Sequence, residues 1–528
     1  MTREPAELYQ VFILCVLLSC VASWIIARRY RRRMQLLMRA SSPQDSRPSN
    51  APTAGAAADR PAGTPVSLAD NRAAGMRLTM LLIVSSCLLA VTSSGLFSAL
   101  MFPSEPLMLW RVIPIAVLHL WPVIPAIALT WRWSRARFVG ALLLWCAATW
   151  VVLFVIGLWR QIDMGPLLVL QLMASEIGLS LALLSLVFLG EATRAIAPWL
   201  LVPAALLTWS SLAGVRAMVS IGEGQAPLLT SVITLLDPVL GWLPWYGVLV
   251  LFALLPWVLA WWPARVMGRA LGRAYSRKWF SDLLGMYTAV WAFALTDRAL
   301  TVAIQANGGA AAVAMYLPLL WIPVVMWSAA RWRPITERPP TLLVLRVFQQ
   351  DALARSVFDH VVERWRLSGN TVMIAGTDLV DRTLDTDDIF QFLDKKLGQQ
   401  FIVSPADVAR RIDAFDMIAD IDGRYRVNEC YCHDTTWQDA LQALVHYSDV
   451  VLMDLRGFQA HNTGCRYELV TLARASRAFR VVVLVDGRTD RAVAEEAVVS
   501  GRHERFTWVE VLHFNASKRD EVLAHLFA

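Results

Sequence analysis

The stretch Ser448–Leu469, SDVVLMDLRGFQAHNTGCRYEL, decides the character of the carboxyl-terminal region. DVVLMDL (449–455) is an apolar run of strand length. RGFQAHNTG is a polar loop carrying Gly457 and Gly464, and CRYELVTLARAS (465–476) repeats its apolar residues at helical spacing. A strand that is apolar throughout, followed by a loop and a helix, is the building unit of a parallel sheet covered on both faces.

Working outward, the same unit recurs from Thr341 onward. LLVLRVF (342–348), TVMIAGT (371–377), RVVVLVD (480–486) and FTWVEVLHF (506–514) read as strands. ALARSVFDHVVERWR (352–366), IFQFLDKKLG (389–398), TWQDALQALVHYS (436–448), a segment near 490–499 and KRDEVLAHLF read as helices. MIADIDGRYRVNECYC (417–432) reads as an inserted hairpin turning at Asp422–Gly423. The expectation is a three-layer α/β sandwich over 340–528 with a mostly parallel sheet. Its ligands would bind at the carboxyl ends of strands, near the point where strand order reverses.

Upstream, the chain changes regime. It is 56% hydrophobic, with 23 Trp and mean hydropathy +0.48, and the apolar excess lies almost entirely before residue 331. Apolar runs near 11–27, 78–101, 107–130, 138–158, 166–190, 195–215, 243–262, 281–304 and 309–330 are long enough to span a bilayer, which makes about nine spans. The first run is followed at once by RRYRRR (28–33), the reverse of a cleaved signal peptide, and so reads as an anchor over 1–33. Residues 34–75, rich in Ala, Pro, Ser and Gly around SSPQDSRPSNAPTAGAAADRPAGTP, read as a flexible cytoplasmic linker, and 76–331 as the multi-span domain. Leu228–Trp242, with Asp237–Pro238 inside it, reads as interfacial or re-entrant.

The loops Trp131–Arg137, Glu191–Arg194, Trp262–Trp279 and Arg331–Arg338 are rich in Arg or Lys, while the alternate loops are poor in them. This alternation places the amino terminus outside and the carboxyl-terminal domain in the cytoplasm of a bacterial inner membrane. The net charge of +7 is thereby accounted for by topology, not by nucleic-acid binding. Ionisable residues in or near the spans are Arg111, Glu176, Asp297 and Arg298, functional candidates because charge within a bilayer is costly. Cys430, Cys432, His433, His461 and Cys465 lack the paired spacing of a structural zinc site, and no metal is expected.

The candidate ligand pocket is drawn from three strand ends: Gly376 and Asp378; Asp454, Gly457, Asn462 and Gly464; and Asp486–Gly487. Glu468 is expected in the first turn of the following helix, where the helix dipole favours an ionised carboxylate. There it could act on an anomeric carbon, belong to a non-catalytic pocket, or simply complement the helix terminus.

The run from Asp449 through Gly464 to Glu468–Leu469, a strand, a loop and GxxxE on a helix, resembles nucleoside deoxyribosyltransferases and, more loosely, TIR domains, some of which cleave NAD. The resemblance implies a catalytic carboxylate at Glu468, and no other residue's role, with a nucleoside or NAD as ligand; if the domain cleaves such a ligand, Glu468 would be nucleophile or stabiliser and Asp454 and Asn462 would orient the ribose. Where the transferases can carry an Asp six residues before the Glu, this chain has Asn462. The expected function is membrane-tethered sensing or signalling through a nucleotide-like ligand, with cleavage of an N-glycosidic bond as its chemistry. A transporter or channel with a regulatory tail, and a scaffold that binds protein without catalysis, are the alternatives. The expected partners are the bilayer, the small-molecule ligand, and a second copy or another protein.

Overall fold

The computed structural model describes residues 4–39, 62–161, 165–178, 180–182, 191–222, 242–305, 309–333, 338–347, 356–375, 392, 398, 401–433, 436–477, 479–499 and 501–527. The chain forms two compact units. One comprises Met1–Ala27, Val84–Ala126 and Arg135–Val324; the other comprises Arg28–Ile83, Ile127–Ser134 and Val325–Ala528.

The first unit is helical. Its elements are α1 (Glu4–Arg39), α2 (Leu68–Met101), α3 (Leu109–Leu118), α4 (Val123–Thr130), α5 (Arg135–Trp159), α6 (Pro166–Met173), α7 (Glu191–Gly222), α8 (Trp245–Ser276), α9 (Asp282–Gln305), α10 (Gly309–Ala314) and α11 (Trp321–Ala330), with α1, α2, α4 and α11 contributing to both units. Among the described residues, five helical segments are long and apolar enough to cross a membrane: Ile13–Leu37, Leu68–Met101, Arg135–Trp159, Trp245–Ser276 and Ala311–Ala330. The pair α3 and α4, bent by 44°, supplies a sixth if it is one span. The three other expected runs do not meet the length and composition of a span among the described residues. Pro166–Gly178 and Trp199–Thr208 are shorter apolar helices, and α9 is interrupted by Asp297–Arg298. Leu228–Gly241 lies outside the described residues. Exposed apolar side chains such as Val258 (73%) and Leu259 (80%) on α8 are what a lipid-facing helix presents and what a water-soluble one avoids. By helix length and composition this is a multi-pass membrane protein.

The second unit holds a seven-stranded sheet with order β3-β4-β2-β1-β5-β6-β7, every neighbouring pair parallel. The strands are β1 (Thr341–Arg346), β2 (Asn370–Ala375), β3 (Phe401–Ile402), β4 (Val427–Cys432), β5 (Val450–Asp454), β6 (Arg480–Val485) and β7 (Phe506–Glu510). The helices between and after them are α12 (a π-helical turn, Phe358–Val362, closing as Glu363–Trp365), α13 (Pro405–Asp413), α14 (Trp437–Tyr447), α15 (Thr463–Arg474), α16 (Arg491–Val499) and α17 (Ala516–Phe527).

Side chains alternate across the sheet, so one strand feeds two cores. Leu343, Val372, Val451 and Val483 pack with Leu444 of α14, Leu472 of α15 and Val498 of α16. Leu342, Met373, Leu452 and Val482 pack with Val361 and Trp365 of α12 and Val522 and Leu526 of α17. This is the expected three-layer sandwich with a parallel sheet.

Three local expectations change. The 417–432 segment is not a hairpin. Asp422–Gly423 does turn, with Gly423 at φ +91°, but Val427–Cys432 runs parallel between β2 and β3. The stretch expected as linker, 34–75, is helical at both ends, through Arg39 in α1 and from Leu68 in α2. Its segment before α2 is tied down: Gly63 N donates to Asp449 Oδ1 (3.1 Å) and Thr64 N to the Arg338 carbonyl (2.8 Å). The compact unit also extends beyond 340–528, because Tyr30 and Met34 pack on Ala375, Phe401 and Tyr431.

Candidate functional site

Strand order reverses at β1. The chain passes from β1 to β2 on one side and returns to β5 on the other. Arg346 and Asp454 end these two strands as register partners at this switch point. Both are buried, at 4% exposure.

Asp454 is fully engaged. Arg456, two residues on, donates from Nε to Oδ1 (2.8 Å) and from Nη2 to Oδ2 (2.7 Å), a bidentate pair, and its backbone N also reaches Oδ1 (3.2 Å). Arg456 Nη2 extends to Ser356 Oγ (3.2 Å), and the guanidinium lies 5.1 Å from the centre of the Phe514 ring. Both Asp454 oxygens are therefore already occupied by Arg456.

The loop after β5 is braced from within. Gly457 adopts φ +75°, open to glycine at little cost. Its amide donates to Asp486 Oδ1 (2.9 Å), the carboxylate that ends β6. Burial raises the pKa of Asp486, but bonds from Gly457, Thr489 and Arg488 outweigh it and hold the group below its ordinary value. Asn462 precedes α15 and spends its Oδ1 on Gln459 N (2.8 Å). A Cβ at Gly464 would meet nothing within 4 Å, so this position faces open space.

Glu468 departs from expectation. The helix starts at Thr463, so Glu468 lies in its second turn, beyond the reach of the terminal dipole. It is 2% exposed, on the inward face with Cys465, Leu469 and Leu472. Cys465 Sγ, one turn earlier, lies 3.8 Å from the Arg346 carbonyl, which sets this face against the end of β1. Glu468 Oε2 is buried with no hydrogen-bond partner among the described residues. Burial pushes its pKa up to about 8 despite the opposing charge of Arg346. Burial thus favours the protonated carboxyl at neutral pH.

Gly376 and Asp378 lie outside the described residues. Cys430 and Cys432 belong to a packed core, and burial pushes the Cys430 thiol up to about 12. Among the described residues no group of three or more His, Cys, Asp and Glu is placed to hold a metal ion.

In the helical unit, Arg111 is set apart. It pairs with Glu105 and lies over the rings of Phe102 and Trp110. Glu176 sits in a π-helical turn, Ala174–Gly178, and Arg298 is buried on α9 next to Asp297.

Two functional-site residues were not singled out from sequence, Arg346 and Arg456. Their signal was available: each is an arginine at the end of an apolar strand, and buried arginines are rare unless paired.

Helix composition and sheet topology together define a multi-pass helical membrane chain carrying a parallel α/β domain. Compared with known proteins, the chain matches no protein-family profile, no curated protein and no solved structure.

Proposed function

We propose that this chain is a membrane-embedded sensor whose α/β domain, on the cytoplasmic side of a bacterial inner membrane, takes a nucleotide-like ligand between the ends of β1 and β5. The observation that supports it is Glu468, a carboxyl buried at the switch point, with one oxygen unpartnered among the described residues and Arg346 nearby. A buried polar atom without a partner is costly, and a ligand hydroxyl or base nitrogen would satisfy it. A neutral carboxyl both donates and accepts, which suits a ribose or a base edge.

The likeness of Asp449, Gly464 and Glu468 to nucleoside deoxyribosyltransferases supports an N-glycosidic bond as the bond at stake. A proton-bearing Glu468 suits general-acid donation to a departing base better than attack on the anomeric carbon. The cytoplasmic placement is supported by the arginine pattern of the loops.

The test uses the full chain in lipid nanodiscs with NAD and with nucleosides, following melting temperature and free base. The expected result is ligand-dependent stabilisation with release of base, the release lost in Glu468→Gln while stabilisation persists. Stabilisation without release supports a non-catalytic sensor and removes the cleavage. Absence of stabilisation by any of these compounds overturns the reading.

A further inference from the structure

α8 is 32 residues long and contains no Asp or Glu. At 1.5 Å per residue it extends about 48 Å, well past the roughly 30 Å of a hydrocarbon core. Exposed aromatic residues mark where that core begins and ends. Trp245 (77% exposed) and Trp262 (72%) stand about 26 Å apart along the axis, close to the spacing of the two interfacial belts of a spanning helix. The part of α8 beyond Trp262 therefore projects out of the hydrocarbon.

This projecting part is patterned. Arg265, Arg269, Arg273 and Arg277 recur every four residues, and all of them are exposed. Steps of three and four also join Leu255, Val258 and Trp262 to Arg265. One exposed face of the helix is thus apolar along the core, aromatic at its edge and cationic beyond it. The other face is the packed one: Ala260 and Ala264 sit with Leu207 of α7, and Trp257 Nε1 donates to Ser211 Oγ of α7 (2.6 Å). Among the described residues none of these arginines meets a carboxylate; Arg273 Nε donates to the Arg269 carbonyl at 3.4 Å. Trp279, also exposed, follows the last of them, so the stripe of about 18 Å is bracketed by residues suited to a membrane interface.

Topology alone does not require this arrangement. Holding a loop on one side of a membrane takes positive charge at any positions within it. The helix dipole favours cations in the last turn, which covers Arg273 and Arg277 but not Arg265 and Arg269. A row of guanidiniums without counter-charge, continuous with a lipid-facing surface, is complementary to a layer of phosphates. Guanidinium meets phosphate through paired N–H···O bonds, and basic residues close to a bilayer surface are attracted to its anionic lipids.

We propose that the Arg265–Arg277 stripe of α8 binds the phosphate groups of anionic phospholipids in the leaflet that borders it. The partner is the lipid headgroup, and the site is independent of the ligand reading for the α/β domain.

Native mass spectrometry of the full chain in detergent, titrated with phosphatidylglycerol or with phosphatidylcholine, tests this by resolving each bound lipid. Wild type should bind phosphatidylglycerol more tightly than phosphatidylcholine. Arg269→Gln combined with Arg273→Gln should weaken phosphatidylglycerol binding about fivefold for each charge removed and leave phosphatidylcholine binding unchanged. Arg269→Lys combined with Arg273→Lys keeps the charge and should keep most of the preference. Equal affinity of wild type for the two lipids overturns the proposal. Undiminished phosphatidylglycerol binding in the glutamine variant does so too, and would leave the stripe to a soluble polyanion. Loss of the preference in the lysine variant as complete as in the glutamine variant would show that charge is not its cause, which also overturns it.

Discussion

Arg132, in the turn between α4 and α5, places its guanidinium 2.9 Å from the carboxylate of Glu363 on α12. It does so from a left-handed backbone, φ +48°, a conformation that disfavours a side chain. Glu363 also meets Arg366 (3.1 Å) and Arg424, so three guanidiniums from three segments of one compact unit converge on a single carboxylate. Burial raises the pKa of Glu363, but the three cations outweigh it and hold the group well below 4.5. Removing the carboxylate strands three cations. Glu363→Gln is therefore expected to cost about 3–5 kcal/mol in denaturant unfolding of the full chain. Arg132→Met, which leaves two partners, should cost much less. Because the folded-state pKa is depressed, this stabilisation is present above pH 4.5 and fades as pH falls through the folded value. The gap between wild type and Glu363→Gln should close in acid.

A second tie runs from α2. Asn71 Nδ2 donates to the Arg364 carbonyl (2.7 Å) and to Ser368 Oγ (2.8 Å), while Arg364 Nη2 donates back to Asn71 Oδ1 (3.1 Å). Asn71 is fully buried. Asn71→Ala leaves a buried carbonyl and part of a guanidinium unsatisfied, an expected loss of roughly 2–3 kcal/mol. Since Arg28–Ile83 belongs to the unit that holds the sheet, a fragment beginning at Pro340 should melt lower, and be cleaved faster by protease, than the same residues within the full chain. Equal melting temperatures and cleavage rates would show these ties to be dispensable.

How far the sequence carried the fold follows from which signals are local. The long strands were legible because fully buried parallel strands are apolar throughout, as VVLMD and VVVLV show. Two-residue β3 is too short to leave a pattern, and β4 reads as half of a hairpin because Asp422–Gly423 mimics a hairpin turn. At the site, the burial of Glu468 was implicit in the spacing Cys465, Leu469, Leu472, which puts residue 468 on the apolar face. What no local pattern reveals is pairing across segments: Arg456 with Asp454 and Ser356, Arg132 with Glu363, or Arg298 with the α2 serines.

Gly63 and Gly464 make a matched test of space. A Cβ on Gly63 would lie 2.7 Å from Pro340 Cα and 2.8 Å from Asp449 Oδ2. Gly63→Ala must displace the strap from Asp449, which also accepts from Thr341 N (2.9 Å) and Arg477 Nη2 (2.7 Å). The expected loss is roughly 1–3 kcal/mol, with faster amide exchange at Gly63 and Thr341. Gly464→Ala enters open space inside α15 and should change unfolding by less than about 0.5 kcal/mol, or stabilise slightly by helix propensity.

Glu468 should give the domain a distinctive pH dependence. In the folded chain it keeps its proton up to about pH 8, whereas in the unfolded chain it loses it near 4.5. Between those values the folded state binds more protons than the unfolded state, so each rise in pH costs stability, and the loss is complete above about 8. This sign is opposite to that of Glu363 and acts in a different pH window. Glu468→Gln keeps the shape of the neutral acid and has no proton to lose. The variant should therefore match wild type near pH 4.5 and become progressively more stable than it toward pH 8, by up to an order of 4 kcal/mol. Melting curves of the full chain at intervals between pH 4.5 and 9 give the comparison. Parallel curves across that range would mean that Glu468 is ionised in the folded state, which would return it to the nucleophile role and remove the general-acid assignment.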